Sequence, residues 1–257
     1  MKPIDYIREL NNSGIWSFTF EEAQSSLGKD ITAAIRTLRK KNRIIDPARG
    51  FYVIIPEEFS IAGRLPAERF INELMKFYRA PYYIGLLTAA SFYGSAHQSP
   101  QVFQVVTNPS RRTIHYGQNK IVFYRKKNVD SILTDKRKTL TGYVNISTVE
   151  TTFFDMIQFN QRIGGLDHVT LVASELVERF SVSSLKEVAM TFPLPIIQRG
   201  GYLLEVIGFE KGTAVLERWI RNQCPIYTYL NPSKGKLREP KHDRWKLIIN
   251  DKLDYSE

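Results

Sequence analysis

Cysteine is almost missing from this chain. Across 257 residues there is one, Cys224, so no internal disulfide can form. With only His97, His115, His168 and His242 to join it, no ligand spacing resembles a structural zinc site. Acidic residues are also short, 26 Asp and Glu against 36 Lys and Arg, which leaves a net charge of +10. That excess makes an anionic partner the expectation, with nucleic acid ahead of acidic protein or a membrane surface. No apolar run reaches transmembrane length, and the opening MKPIDYIREL is charged too early and too often for a signal peptide. The expectation is a cytoplasmic protein without a membrane partner. Hydrophobic residues at 43% and charged residues at 24% are ordinary for a globular chain, and the length favours two domains over one.

Recognisable catalytic machinery is lacking too. Gly94-Ser95 before an apolar strand has the look of the turn with which nucleotidyltransferases hold phosphates. The strand that follows offers Gln101, Gln104 and Thr107 where magnesium would need carboxylates. Glu239-Pro240-Lys241 hints at a nuclease pair, but from Lys211 up to it Glu217 is the one carboxylate, so the segment is read as surface. Gly28-Lys29-Asp30 lacks the earlier glycine and the Ser or Thr of a phosphate loop, and no Gly-x-Ser-x-Gly elbow occurs. His97 has no evident nucleophile to serve and is read as a loop histidine. No enzyme, catalytic residue, metal or cofactor is expected.

What is present starts at the N-terminus. Pro3 opens a helix with Ile4, Ile7 and Leu10 on one side and a stop at Gly14. Ile15 to Phe18 suggests a short strand, and Thr19-Phe20-Glu21-Glu22 has capping-box spacing for a second helix ending at Gly28. Asp30 is the expected N-cap of a third helix, with Ile31, Ala34, Ile35 and Leu38 inward. Its other face carries Thr32, Ala33, Arg36, Thr37 and Lys40, with Arg39 and Lys41 on the flanks and Arg43 beyond. A turn at Asp46-Pro47-Ala48-Arg49-Gly50 then leads to the strand Phe51 to Ile55, with Arg49 at the hairpin tip. Helix, strand, short helix, helix, hairpin is the order of a winged helix-turn-helix, in which the third helix enters the major groove and the hairpin meets the backbone. Thr32, Ala33, Arg36, Thr37, Arg39, Lys40, Arg43 and Arg49 are therefore the candidate DNA contacts; the bland alternative is an ordinary solvated basic face.

Pro56 to Pro66 reads as a linker, placing a boundary near residue 60 between residues 1–60 and a larger α+β domain, 61–257. A helix is expected over Ala67 to Tyr78. Tyr82 to Thr107 is the expected core, with a helix buried on all sides from Tyr83 to Tyr93 and then a strand at Val102 to Val106. Arg111 to Tyr116 and Lys120 to Tyr124 suggest two strands joined by Gly117-Gln118-Asn119. Arg111, Arg112, Lys120, Arg125, Lys126 and Lys127 form a second basic set among aromatics, which serves either as a binding surface or as the wet face of a sheet. Another strand at Tyr143 to Ile146, a capping box at Ser147-Thr148-Val149-Glu150 and a run of helices complete the chain.

Arg49-Gly50-Phe51-Tyr52-Val53, Tyr82 to Ala90 with Gly94, Tyr229-Leu230-Asn231-Pro232 and Arg244-Trp245-Lys246-Leu247 occur in the order and separation found in one family. By them the chain resembles the AbiEi-type antitoxins of type IV toxin–antitoxin systems. The resemblance implies an autorepressor that binds double-stranded DNA at its own promoter. It also implies a C-terminal domain counteracting a nucleotidyltransferase-like toxin without a stable complex, and the second basic set is the candidate antitoxin surface. The competing class is a ligand-responsive winged-helix transcriptional regulator.

Overall fold

The computed structural model describes residues 1–56, 59, 65–95, 102–235 and 239–254. His97 and most of the Pro56 to Pro66 stretch lie outside them. The fold is α+β, and the chain divides into two compact units.

The first unit gathers Met1–Ile84, Gln101–Asp130 and Lys136–Ile146. It opens with α1 (Pro3–Asn12), β1 (Ser17–Thr19) and α2 (Phe20–Leu27). The capping box is formed: the Thr19 hydroxyl accepts from the Glu22 amide at 3.2 Å, and Glu22 accepts from the Thr19 amide at 2.7 Å. A 3-10 turn over Gly28–Asp30 runs straight into α3 (Ile31–Lys40). Asp30 stands at the N-cap but makes no side-chain capping bond, a correction to the expectation. Its ψ of 14° is outside the extended region that would aim the carboxylate back at the helix amides.

β2 (Ile44–Ala48) and β3 (Phe51–Ile54) follow, in an antiparallel sheet of order β1-β3-β2. The expected five-residue turn shrinks to Arg49-Gly50, because Asp46-Pro47-Ala48 belongs to β2 and is taken up by an irregularity between Ile45 and Ala48. An edge strand tolerates a proline there, since its missing N–H costs no ladder bond. Tyr6, Ile7, Phe18, Ile35, Leu38 and Tyr52 sit in one buried cluster, with the Phe18 and Tyr52 rings stacked 5.3 Å apart.

Beyond residue 60 the same unit contains α4 (Ile71–Phe77) and a mixed six-stranded sheet. The helix expected from Ala67 breaks at Phe70, whose φ of −133° ends a 3-10 turn. The sheet is built from β4 (Tyr82–Ile84), β5 (Val102–Thr107), β6 (Ile114–Tyr116), β7 (Asn119–Arg125), β8 (Thr134–Thr139) and β9 (Gly142–Ser147), in the order β6-β7-β5-β4-β9-β8. β5 lies between an antiparallel β4 and a parallel β7, and its consecutive residues Gln104 to Thr107 are all buried, which explains the lack of apolar-polar alternation. Tyr82–Ile84 is thus a strand and not the start of the buried helix expected there. The helix, α5 (Leu86–Phe92), begins only after Gly85, where Leu86 takes a left-handed φ of 57°. β8 was not expected at all: none of its residues is buried, so it carries no apolar alternation to read.

The second unit contains α5 with α6 (Val149–Gln158), α7 (Gly165–Leu176), α8 (Val182–Ala189), α9 (Leu194–Ile207) and α10 (Glu210–Arg221). A small sheet of order β10-β12-β11 closes it, from β10 (Thr228–Tyr229), β11 (Lys241–His242) and β12 (Leu247–Ile248). The cap of α6 is Thr148, whose hydroxyl accepts from the Thr151 amide at 3.2 Å. Ser147, the expected cap, is the last residue of β9, with its hydroxyl 2.7 Å from that of Thr152. Glu150 reaches the Ser181 amide at 2.8 Å instead of its own helix start.

Candidate functional site

α3 is amphipathic in the strict sense: Ile31, Ala34, Ile35 and Leu38 are buried and Thr32, Ala33, Arg36, Thr37 and Lys40 are exposed. Small side chains at Thr32 and Ala33 keep the N-terminal half of that face low, and Arg36 and Lys40 stand one turn apart on it. The Thr37 hydroxyl donates to the Ala33 carbonyl at 2.8 Å. Arg39 is exposed but engaged, paired with Asp46 of β2 and 6.0 Å from the centre of the Tyr52 ring. It fastens the hairpin to α3. Burial pushes the Tyr52 hydroxyl above its ordinary pKa, against the opposing pull of Arg39. Arg43 is half-buried, and its backbone bridges Leu38 and Ile55. Arg49 is exposed at the hairpin turn, next to Gly50 with φ 81°. Arg36, Lys40 and Arg49 are thus exposed cations of the first unit, while Arg39 is held by Asp46.

The second basic set is dispersed. Arg111 lies over the Tyr78 ring at 3.6 Å and donates to the Tyr78 carbonyl at 3.4 Å, while Lys126 is buried, 5% exposed. Lys120 and Arg125 are five residues apart on β7 and so point to opposite faces of the sheet. Arg112, Arg125 and Lys127 are exposed. Sequence reading missed a basic stretch, Lys136 to Lys138, exposed on the edge strand β8.

Ser95 is buried, its hydroxyl 2.5 Å from a Glu175 carboxylate oxygen and 3.1 Å from the Val172 carbonyl, so it is not turned toward a phosphate. Gln104 bonds the Tyr124 hydroxyl at 3.3 Å and Thr107 the Pro81 carbonyl at 2.7 Å. Among the described residues there is no group of three His, Cys, Asp or Glu side chains able to hold a metal ion, and no helix long and apolar enough to cross a membrane.

Residues 83–206 match the family of the AbiEi antitoxin C-terminal domain. The chain carries an AbiEi antitoxin domain. That makes it an AbiEi-type antitoxin, with an antitoxin role in a toxin–antitoxin system. No curated protein matches the chain. Among solved structures it is similar in fold to the RV2827C protein from Mycobacterium tuberculosis. That likeness has 17% identity and a TM-score of 0.67, over 94% of this chain and 89% of that one.

The AbiEi domain ends inside α9, where two adjacent side chains hold the small C-terminal sheet. The Gln198 amide donates to the carbonyls of Ile226, Trp245 and Lys246 at 3.0 to 3.1 Å. The Arg199 guanidinium donates twice to the Tyr229 carbonyl, and burial pulls its pKa below the ordinary value. The two late sequence motifs meet here, as Thr228-Tyr229 pairs in parallel with Leu247-Ile248. Trp245 is fully buried against Gly201, where a side chain would overlap the indole.

A cavity of about 380 Å³ lies in the first unit between β1 and α4. Ile15, Trp16 and Ser17 form one wall, Arg69, Lys76 and Phe77 another. No motif marks it, because its two walls are some 50 residues apart.

Proposed function

We propose that this AbiEi-type antitoxin is the DNA-binding autorepressor of its own operon. Residues 1–60 act as a winged helix-turn-helix, and residues 61–257 form the domain that counteracts a nucleotidyltransferase-like toxin in the cytoplasm, without a stable complex. The observation that carries the reading is the outward face of α3. Small residues stand where a helix must approach base edges, and Arg36, Lys40 and Arg49 stand where phosphates would run. Ion pairing of Arg39 with Asp46, both exposed, adds little stability of its own, about 0–1 kcal/mol, but it orients the hairpin relative to the helix. Arg112, Arg125 and Lys127 are the members of the second basic set left outward for an antitoxin surface. The domain itself carries out no nucleotidyl transfer in this reading, in keeping with the engaged Ser95 hydroxyl.

The cavity beside β1 favours a second reading, in which a small ligand modulates DNA binding. The deciding experiment uses the full chain. An Arg36→Ala/Lys40→Ala/Arg49→Ala variant should lose repression of a promoter reporter while still rescuing growth of cells expressing the cognate toxin. A folded triple variant that loses rescue as completely as repression would remove the proposed division of labour.

A further inference from the structure

We infer that the cavity between β1 and α4 is a binding site for a zwitterionic dipeptide with one apolar side chain. The inference rests on the cavity and not on the DNA-binding reading of α3.

β1 is an edge strand, paired with β3 alone. The Ile54 amide donates to the Trp16 carbonyl and the Phe20 amide to the Gly50 carbonyl, both at 2.9 Å. In an antiparallel ladder bonded and non-bonded pairs alternate, so Trp16, Phe18 and Phe20 face β3 and Ser17 turns its amide and carbonyl the other way. Ser17 lines the cavity, and among the described residues no hydrogen bond uses either group. A donor and an acceptor side by side on an open strand edge are the complement of one peptide unit.

The opposite wall supplies the ends. Glu73, Lys76 and Phe77 share one face of α4 and line the cavity, joined by Arg69 from the 3-10 turn before it. Lys76 and Glu73 pair at 2.7 Å with side chains 65% and 47% exposed, so the pair exchanges readily for ligand charges. Lys76 suits a carboxylate, with Arg69, whose guanidinium lies 4.4 Å from the centre of the Phe59 ring, beside it; Glu73 suits an ammonium, with Glu22, one of whose oxygens accepts from the Thr19 amide, adding negative charge. Apolar side chains of Ile15, Trp16 and Phe77 leave a dry wall for the ligand's own side chain. Water would satisfy Ser17 but would gain nothing from that wall. Charges of both signs exclude a simple anion, and a volume of about 380 Å³ limits the ligand to one or two residues.

Isothermal titration of the full chain with glycyl-L-phenylalanine tests this. Saturable binding is expected, weakened at least tenfold when the peptide is N-acetylated or C-amidated, since each change removes one charge. Lys76→Glu, at an exposed position, should weaken it to a similar extent. Ser17→Pro should also weaken it, because it deletes the outward N–H without touching the ladder to β3. Absence of saturable heat at millimolar peptide would overturn the inference. So would affinity indifferent to both blocking groups and to Lys76→Glu, which would mark a non-specific apolar contact.

Discussion

At the scale of single residues, the tightest constraints lie where α9 meets the C-terminal sheet. Gly201 sits in a helix interior, where replacement by alanine ordinarily gains about 1 kcal/mol of helix propensity. Here the added methyl meets the Trp245 ring, so Gly201→Ala should instead destabilise by roughly 1–3 kcal/mol, seen as a lower urea midpoint. Gln198→Leu should cost a similar ~1–3 kcal/mol, because it strips the donor from three carbonyls at a buried site. Asp251 gives a pH signature. Burial alone would raise its pKa, yet hydrogen bonds from Asn231 and Lys234 prevail and hold it below the usual carboxylate value. A lowered folded pKa means the stabilisation is complete above the unfolded value of about 3.9 and is lost as pH falls through the folded one. Asp251→Asn should therefore flatten the acid limb of stability below about pH 4 and leave its neutral slope unchanged. Which side chains face inward and which outward was legible where periodicity sets it, as on α3. They were illegible where a partner distant in sequence sets them: nothing in Arg39 announces Asp46, and nothing in Lys126 announces its burial.

Among elements, the N-terminal module was readable because its helix starts and stops are mostly local chemistry, the start of α3, where Asp30 makes no side-chain cap, being the exception. Thr19 and Glu22 satisfy each other within one turn, and Thr19→Ala should cost about 1 kcal/mol of stability and fray α2 in hydrogen exchange. Tyr82 to Tyr93 was misread for a physical reason. The strand is fully buried and no residue of the helix is exposed, so neither period appears in the sequence, and the change falls at Gly85-Leu86. β8 was invisible for the opposite reason, having no buried side chain; its lysines are those expected on a strand edge that must not pair with other chains. The strands of the C-terminal sheet are two residues each, too short for any pattern, and are held from α9. Neither wall of the β1–α4 cavity signals the other.

For the molecule as a whole, an excess of ten positive charges raises the local concentration of any polyanion and gives every nucleic-acid contact a salt dependence. What distinguishes a specific surface from that general attraction is whether a few named cations carry the slope. The most direct measurement is the affinity of the full chain for its own promoter duplex across a salt series, compared with the Arg36→Ala/Lys40→Ala/Arg49→Ala variant. If all three contact phosphates, the log–log slope should fall by roughly 0.9 per cation removed. Where Arg36 or Lys40 reads a base, affinity should instead drop by ~1–3 kcal/mol for each, with loss of discrimination against unrelated duplex. An unchanged slope and affinity in a folded triple variant would contradict the account of α3 as the DNA-reading element of this antitoxin.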